Sequence, residues 1–214
     1  MTVYSDISNW DETLRSHGLA LLMRSGLFSM RENPVEVFIA KHAREWACKL
    51  MNDPVMAHLH WIGISLGIEC LLKAVLLKHQ CLDLRNRALE TRPESAIAPY
   101  DTVYRTALST KVIAKSNPWL QRQLISAGIE SLWNINSHTI GTLIQKFIPR
   151  LTSIGVITKP EEEDLTHRLI TLTDIRRNVD AHVFLKLRVI MSIGHDLEKV
   201  IVPVVNQLLR IWDR

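Results

Sequence analysis

The sequence has 214 residues, of which 47% are hydrophobic and 22% are charged, with only 8 glycines and 8 prolines. This composition is typical of one globular domain with room for an appended segment, and it excludes a disordered or collagen-like chain. The net charge of +4 is compatible with an RNA partner. It does not indicate one by itself, because no basic run is longer than two residues.

The cysteines are Cys48, Cys70 and Cys81, an odd number with no Cys-x-x-Cys pair. This pattern argues against a disulfide framework and favours a reducing compartment. The first residues also lack the basic and apolar blocks of a signal peptide. We therefore expect a cytoplasmic protein.

The first 30 residues carry Ile7, Trp10 and Leu14 and then a leucine-rich block, a pattern that predicts an N-terminal helical hairpin. Further along, asparagine or aspartate precedes proline at three places. Such a pair places a capping side chain before a proline at the first helical position. The pairs predict helices over residues 34–51, 54–79 and 118–128.

The helix predicted over 54–79 contains the most hydrophobic part of the chain, which is long enough to cross a bilayer. It also contains Glu69 and Lys73, which are four residues apart and can pair on one helix face. Charged groups inside a membrane are costly. We therefore expect a buried core helix and no membrane-spanning segment.

Residues 85–116 contain two prolines and scattered charges, and they predict an irregular insertion with at most one short helix. A helix capped by Ser137 is then predicted over 137–153, because its apolar side chains recur with the helical period. A final apolar segment, 183–212, contains Pro203, which we expect to kink it.

Four consecutive acids at residues 161–164 suggest either a cation site or the start of a helix. Acidic residues suit the positive end of a helix dipole. Thr158 and Glu161 also have the spacing of a capping box. We therefore predict a helix that begins here and buries Leu165, Leu169, Leu172 and Ile175.

No stretch alternates apolar and polar side chains as a half-buried strand does. The pattern predicts an all-α protein with five to seven helices and no sheet. We expect an N-terminal helical extension over residues 1–33 and a helical domain over 34–214 that includes the insertion at about 85–116.

Arg177, Asn178 and His182 form the motif Arg-Asn-x-x-x-His near the end of the helix that begins at the acidic run. On an unbroken helix, residues five apart diverge by about 140°. Arg177 and His182 can therefore act on one phosphate only if the helix breaks near 178–181, or if a second copy brings the groups together. Asn178 and Asp180 favour such a break, because their side chains compete with helical hydrogen bonds.

This motif resembles that of the HEPN superfamily, in which histidine follows arginine by four to six residues and a polar residue often follows the arginine. The segment Glu69-Cys70-Leu71-Leu72-Lys73-Ala74 is similar to the early core helix of that family, where Leu-Lys-Ala often follows a glutamate. The resemblance covers roughly residues 40–214, apart from the insertion. It implies an antiparallel HEPN-like helical bundle that forms a homodimer, with the two motifs facing each other across a cleft.

The resemblance further implies an endoribonuclease that uses neither metal nor cofactor, because the RNA 2′-hydroxyl is an internal nucleophile. His182 would act as general base or acid, and Arg177 would stabilise the charge that develops on the phosphorane. Asn178 would orient the phosphate or hold the imidazole, and Glu69 would set the tautomer of the histidine. The product would carry a 2′,3′-cyclic phosphate.

The same resemblance implies RNA as the partner and a toxin or phage-defence effector as the biological role, with an antitoxin or a nucleotidyltransferase-like protein as a further partner. Two other functions stay open: a non-catalytic HEPN module that binds RNA, a nucleotide or a protein, and a helical dimer with a scaffolding role. The individual residues also have structural interpretations. Arg177 can pair with Asp174, Glu69 can pair with Lys73, and His182 can be a buried core histidine.

Overall fold

The computed structural model describes residues 3–25, 54–87, 110–136, 138–181 and 197–214. These parts of the chain are mostly helical, as the sequence predicts, and they also contain a few short strands. In chain order the elements are β1 (Val3–Asp6), α1 (Trp10–Arg24), α2 (Pro54–Lys78), β2 (Arg85–Asn86), β3 (Thr110–Ile113), α3 (Pro118–Ser126), a 3-10 turn (Leu132–Asn134), β4 (Ile135–Asn136), α4 (helical segments within 140–153), α5 (Lys159–Ala181) and α6 (helical segments within 197–212).

Two of these helices contain a π-helical turn. In α4, the turn Leu143–Phe147 lies between Ile140–Thr142 and Ile148–Ser153, and in α6 the turn Leu197–Ile201 precedes Val202–Trp212. Each turn ends two residues before a proline, Pro149 or Pro203. A proline has no backbone N–H for the carbonyl four residues before it, so the hydrogen-bond ladder must change at these points. A π-turn thus precedes Pro203, the residue at which the sequence predicts a kink.

The chain divides into two compact units. A helical unit comprises Asp11–Cys81 and Ile140–Arg214, and a sheet-containing unit comprises Met1–Trp10 and Leu82–Thr139. The boundary predicted between residues 33 and 34 lies outside the described residues, so the division into an extension and a domain stays a prediction.

The core of the helical unit is formed by α2, which packs against α5 and α6. Buried side chains recur at intervals of three and four residues along each of these helices, as in any helix with one face in a core. The apolar stripes predicted on α4 and α5 are buried wherever the structure describes their side chains, which confirms those two helices. Fully or almost fully buried side chains of the core include Ile64, Ile68, Leu72, Phe147, Leu151, Leu165, Leu169, Val204 and Leu208.

A pair of glycines brings α1 and α2 into backbone contact within the helical unit. A Cβ atom added at Gly18 would lie 2.8 Å from the carbonyl oxygen of Gly67, and one added at Gly67 would lie 2.9 Å from a side-chain carbon of Leu22. Side chains at either position would force the two helices apart. The close crossing therefore depends on both glycines.

The sheet-containing unit corrects the prediction of a chain without strands. β1 pairs with β3 in parallel, with Val3 opposite Thr110, and β2 pairs with β4 antiparallel. These strands are two to four residues long. They are too short to show the alternation by which a strand is recognised in a sequence.

The expectations for the two irregular regions change accordingly. Residues 3–25 form β1 followed by α1, so the predicted N-terminal hairpin of two helices is wrong for this part of the chain. The described ends of the predicted insertion 85–116 are the strands β2 and β3. Local apolar spacing missed these strands because their partners lie far away in the sequence.

The helices predicted from caps and prolines are confirmed wherever the structure describes them. The prediction over 54–79 corresponds to α2, that over 118–128 to α3, and that over 137–153 to α4, which begins at Ile140. The cap predicted at Ser137 and the helix predicted over 34–51 lie outside the described residues. Within the described ranges, none of the helices combines the length and the apolar character needed to span a bilayer.

Candidate functional site

The helix α5, which carries Arg177 and Asn178, begins with the capping box that the sequence predicts. The Thr158 backbone N–H donates to Glu161 Oε2 at 2.8 Å, and the Glu161 backbone N–H donates to Thr158 Oγ1 at 3.4 Å. The acidic run therefore begins a helix, and its side chains complement the positive end of the helix dipole.

The guanidinium of Arg214 adds a second constraint at this helix start. Its Nη2 donates to Glu161 Oε1 at 2.6 Å. Hydrogen bonds from Arg214 and then from Thr158 lower the pKa of Glu161 to about 2. The carboxylate is therefore ionised throughout the physiological range and fixes the first turn of α5.

The backbone of α5 runs unbroken through Ala181. The predicted break between Asn178 and Ala181 is therefore absent, and Arg177 lies inside the helix rather than at its end. The buried row of Leu165, Leu169 and Leu172 anchors the preceding turns. We attribute the continuity to this packing, which outweighs the weak preference of asparagine and aspartate for non-helical backbone.

Helical geometry fixes the register of the motif positions along α5. At 100° per residue, position 177 lies within about 40° of Ile170 and Thr173 but about 80–140° from the buried leucines. Position 178 lies about 100° further round the helix axis. The side chains of residues 175–181 and the whole of His182 lie outside the described residues. The position of the imidazole relative to Arg177 therefore stays a prediction.

Glu69 lies on the partly buried face of α2, and it accepts a hydrogen bond from Lys73 Nζ at 2.6 Å. The two side chains keep only 19% and 14% of their surface exposed. This is the i,i+4 pair that the structural interpretation of Glu69 predicts. A catalytic role for Glu69 would have to operate together with this pair.

The thiol next to this pair is in a poorly hydrated environment. Burial first, and the negative charge of Glu69 to a smaller extent, raise the pKa of Cys70, while Lys73 opposes the shift. The thiol is therefore protonated at neutral pH and is a poor nucleophile. The observation also indicates that the surroundings of Glu69 are apolar enough to strengthen its electrostatic interactions.

The fold brings together the two helices that the sequence motifs single out. α2, with Glu69, packs directly against α5, with Arg177 and Asn178. Comparison with protein-family models, with curated proteins and with solved structures gives no match to this chain. The resemblance to the HEPN superfamily therefore rests on the residues of the two motifs and on the helical character of the chain.

Proposed function

We propose that this protein is a metal-independent endoribonuclease of the HEPN type. The observation that carries the proposal is the motif Arg177-Asn178-x-x-x-His182 on a long helix that packs against the helix of Glu69. The cytoplasm is the compartment that we propose for it, and RNA is its substrate.

The proposed chemistry begins with the 2′-hydroxyl of the RNA, which attacks the adjacent phosphorus. His182 removes the proton of that hydroxyl or protonates the leaving 5′-oxygen. Arg177 stabilises the extra negative charge of the phosphorane, because the forked donors of a guanidinium match two phosphate oxygens. The phosphodiester bond to the 5′-oxygen breaks, and the products carry a 2′,3′-cyclic phosphate and a free 5′-hydroxyl.

Asn178 and Glu69 have supporting roles in this proposal. Asn178 orients the phosphate or the imidazole through its amide group. Glu69 holds the histidine in the required tautomer while it stays paired with Lys73, because a carboxylate can accept more than one hydrogen bond.

The unbroken course of α5 through Ala181 leaves two ways for Arg177 and His182 to meet. The chain can change direction after Ala181, or the groups of two subunits can combine across a two-fold axis. We propose the second arrangement, a homodimer with a composite site.

The test is the cleavage of tRNA and total RNA by the purified protein in the presence of EDTA. We expect cleavage by the wild type and a loss of at least about a hundredfold in an Arg177→Ala, His182→Ala variant, given the usual contribution of such groups. Arg176→Ala combined with His167→Ala is the matched control, since it also removes one arginine and one histidine, both from α5, and it should stay active.

The products identify the mechanism. Mass spectrometry should detect a 2′,3′-cyclic phosphate, and an oligonucleotide with a 2′-deoxyribose at the cleaved position should resist cleavage. Intact RNA with the wild-type protein would overturn the nuclease assignment in favour of a binding module. Equal cleavage by the wild type and the Arg177, His182 double variant would exclude this motif as the site.

A further inference from the structure

A cavity of about 310 Å³ lies between the first turns of α5 and the second half of α6. Six of the side chains that line it matter to its chemistry: Pro160, Glu161, Asp164, Gln207, Arg210 and Arg214. The two carboxylates and two guanidinium groups balance, so the cavity has no net charge. No motif in the sequence indicated this site, because its residues come from two helices far apart in the chain.

One of the two pairs of opposite charges, Arg214 and Glu161, forms an ion pair. Arg214 donates to both carboxylate oxygens of Glu161, at 2.6 and 3.2 Å, and also to the backbone carbonyl of Val156 at 2.8 Å. The strongly lowered pKa of Glu161 reflects this arrangement. These hydrogen bonds therefore hold both side chains in place along one side of the cavity.

The second pair of opposite charges is Arg210 and Asp164. Both residues line the cavity, but they form no ion pair with each other. Asp164 accepts a hydrogen bond from Arg168 Nε at 2.8 Å and is 48% exposed. Arg210 is exposed and has neither an ion pair nor a hydrogen bond to any residue in the described ranges. The cavity thus separates an acidic group from an uncompensated guanidinium.

Gln207 supplies a further unsatisfied group. Its side chain is only 7% exposed. Its Nε2 donates to the backbone carbonyl of Glu161 at 3.0 Å, whereas its Oε1 has no hydrogen-bond partner. Leaving a buried acceptor unsatisfied is costly. A ligand that donates a hydrogen bond to this oxygen would remove that cost.

We propose that this cavity binds a small zwitterion, a free α-amino acid. The carboxylate of the ligand pairs with Arg210, and its ammonium group pairs with Asp164 and donates to Gln207 Oε1. Pro160, which is exposed and also lines the cavity, offers an apolar surface to the ligand side chain. A simple anion would meet two carboxylates and a simple cation would meet two guanidinium groups, whereas a zwitterion matches both charges at once.

The test is a binding measurement on the full-length protein without RNA, by calorimetry or by NMR chemical shifts. The probes are the common free amino acids, tested one at a time, with acetate and methylammonium at equal ionic strength as controls. We expect at least one amino acid to bind at millimolar concentration and neither control ion to do so. Arg210→Met and Asp164→Asn should each weaken that binding roughly tenfold, as loss of one charged contact does.

Arg122→Met is the matched control, because Arg122 is an exposed arginine on α3, outside the helical unit. It should leave the affinity unchanged, and circular dichroism should show all variants folded. Absence of binding by every amino acid would overturn the proposal, as would equally tight binding of acetate or methylammonium. Unchanged affinity in the folded Arg210 and Asp164 variants would also overturn it. These outcomes are independent of ribonuclease activity.

Discussion

His79, directly after the last residue of α2, is placed against the end of the C-terminal helix α6. Its Nε2–H donates to the backbone carbonyl of Ile211 at 3.1 Å, and the neighbouring Lys78 donates to the carbonyl of Trp212. Lys78 therefore supplies a donor to a carbonyl at the end of the helix, where backbone donors run out. His79 adds a second donor to the Ile211 carbonyl, which also accepts from the Arg214 backbone N–H at 3.3 Å. Burial first, and the positive charge of Lys78 to a smaller extent, lower the pKa of His79.

This environment predicts a stability that depends on pH. The unfolded chain gains a proton on His79 as the pH falls below 6.5, while the folded chain resists protonation. The contribution of neutral His79 is therefore complete above pH 6.5 and is lost as the pH falls towards the lower folded pKa. Urea-unfolding midpoints should show a larger loss on acidification from about pH 7.5 to about pH 5.5 in the wild type than in His79→Gln.

The glutamine variant keeps a side-chain N–H donor at position 79 but does not titrate. The comparison therefore measures the effect of protonating His79 on the stability of the fold. At the higher pH the two proteins should differ by less than about 1 kcal/mol in free energy of unfolding. Identical acid sensitivity in the two proteins would show that His79 does not contribute to the pH dependence.

Residue-level features were predictable from the sequence where the interaction is local. The capping box of Thr158 and Glu161 and the cap of α3 by Asn117, which accepts from the Leu120 N–H at 3.0 Å, involve residues three apart. The second partner of Glu161 was not predictable. Arg214 lies more than fifty residues away and meets it only because α5 and α6 are neighbours in the fold.

At the scale of elements, Arg168 on α5 compensates for Pro203 on α6. Pro203 has no N–H, so the carbonyl of Lys199, four residues earlier, lacks its usual helical donor. Arg168 Nη1 donates to this carbonyl at 2.6 Å, while its Nε donates to Asp164 at 2.8 Å. The proline indicated an irregular helix from sequence alone, but nothing near it indicated that a side chain 31 residues away would supply the donor.

Removing this donor should destabilise the protein. We expect Arg168→Met to lower the free energy of unfolding by about 1–2 kcal/mol, because the Lys199 carbonyl loses a charged donor. Asp164→Asn is the matched control, since it weakens the ion pair but retains Arg168, and it should cost less than about 1 kcal/mol. Denaturant unfolding measures both values.

A double-mutant cycle with Pro203→Ala identifies the cause. Alanine restores a backbone N–H at position 203, which can serve the Lys199 carbonyl in place of Arg168. Arg168→Met should therefore cost about 0.5–1 kcal/mol less in the Pro203→Ala background than in the wild type. Equal costs in the two backgrounds would mean that Arg168 stabilises the fold by another route.

Over the whole molecule, the predictions succeeded where one helix face meets a core and failed where distant segments pair. The stripes that include Phe147 and Leu165 were visible in the sequence because a buried helix repeats its apolar residues at short intervals. The pairing of β1 with β3 and the crossing of Gly18 with Gly67 left no such repeat, since each depends on a partner elsewhere in the chain. The residue types of the candidate motif were likewise visible in the sequence. The distances between its side chains depend on the tertiary structure and were not.

The continuity of α5 through Ala181 makes the assembly state central to the proposed nuclease. If two subunits share each site, the protein should have about twice the chain mass of 24.5 kDa in light scattering. Arg177→Ala and His182→Ala proteins should each be inactive alone. Unfolding and refolding them together in equal amounts should restore about a quarter of wild-type cleavage, because half of the dimers are mixed and each mixed dimer has one intact composite site.

A refolded mixture of wild type and the Arg177→Ala, His182→Ala double variant calibrates this experiment, since it reports how efficiently subunits exchange and refold. Complementation should disappear if Arg177 and His182 act within one chain, because no mixed dimer then contains an intact pair. An active monomer, or active wild type with no activity in the mixture of single variants, would place the complete site in a single subunit. The chain would then have to turn sharply after Ala181 to bring the imidazole back towards Arg177.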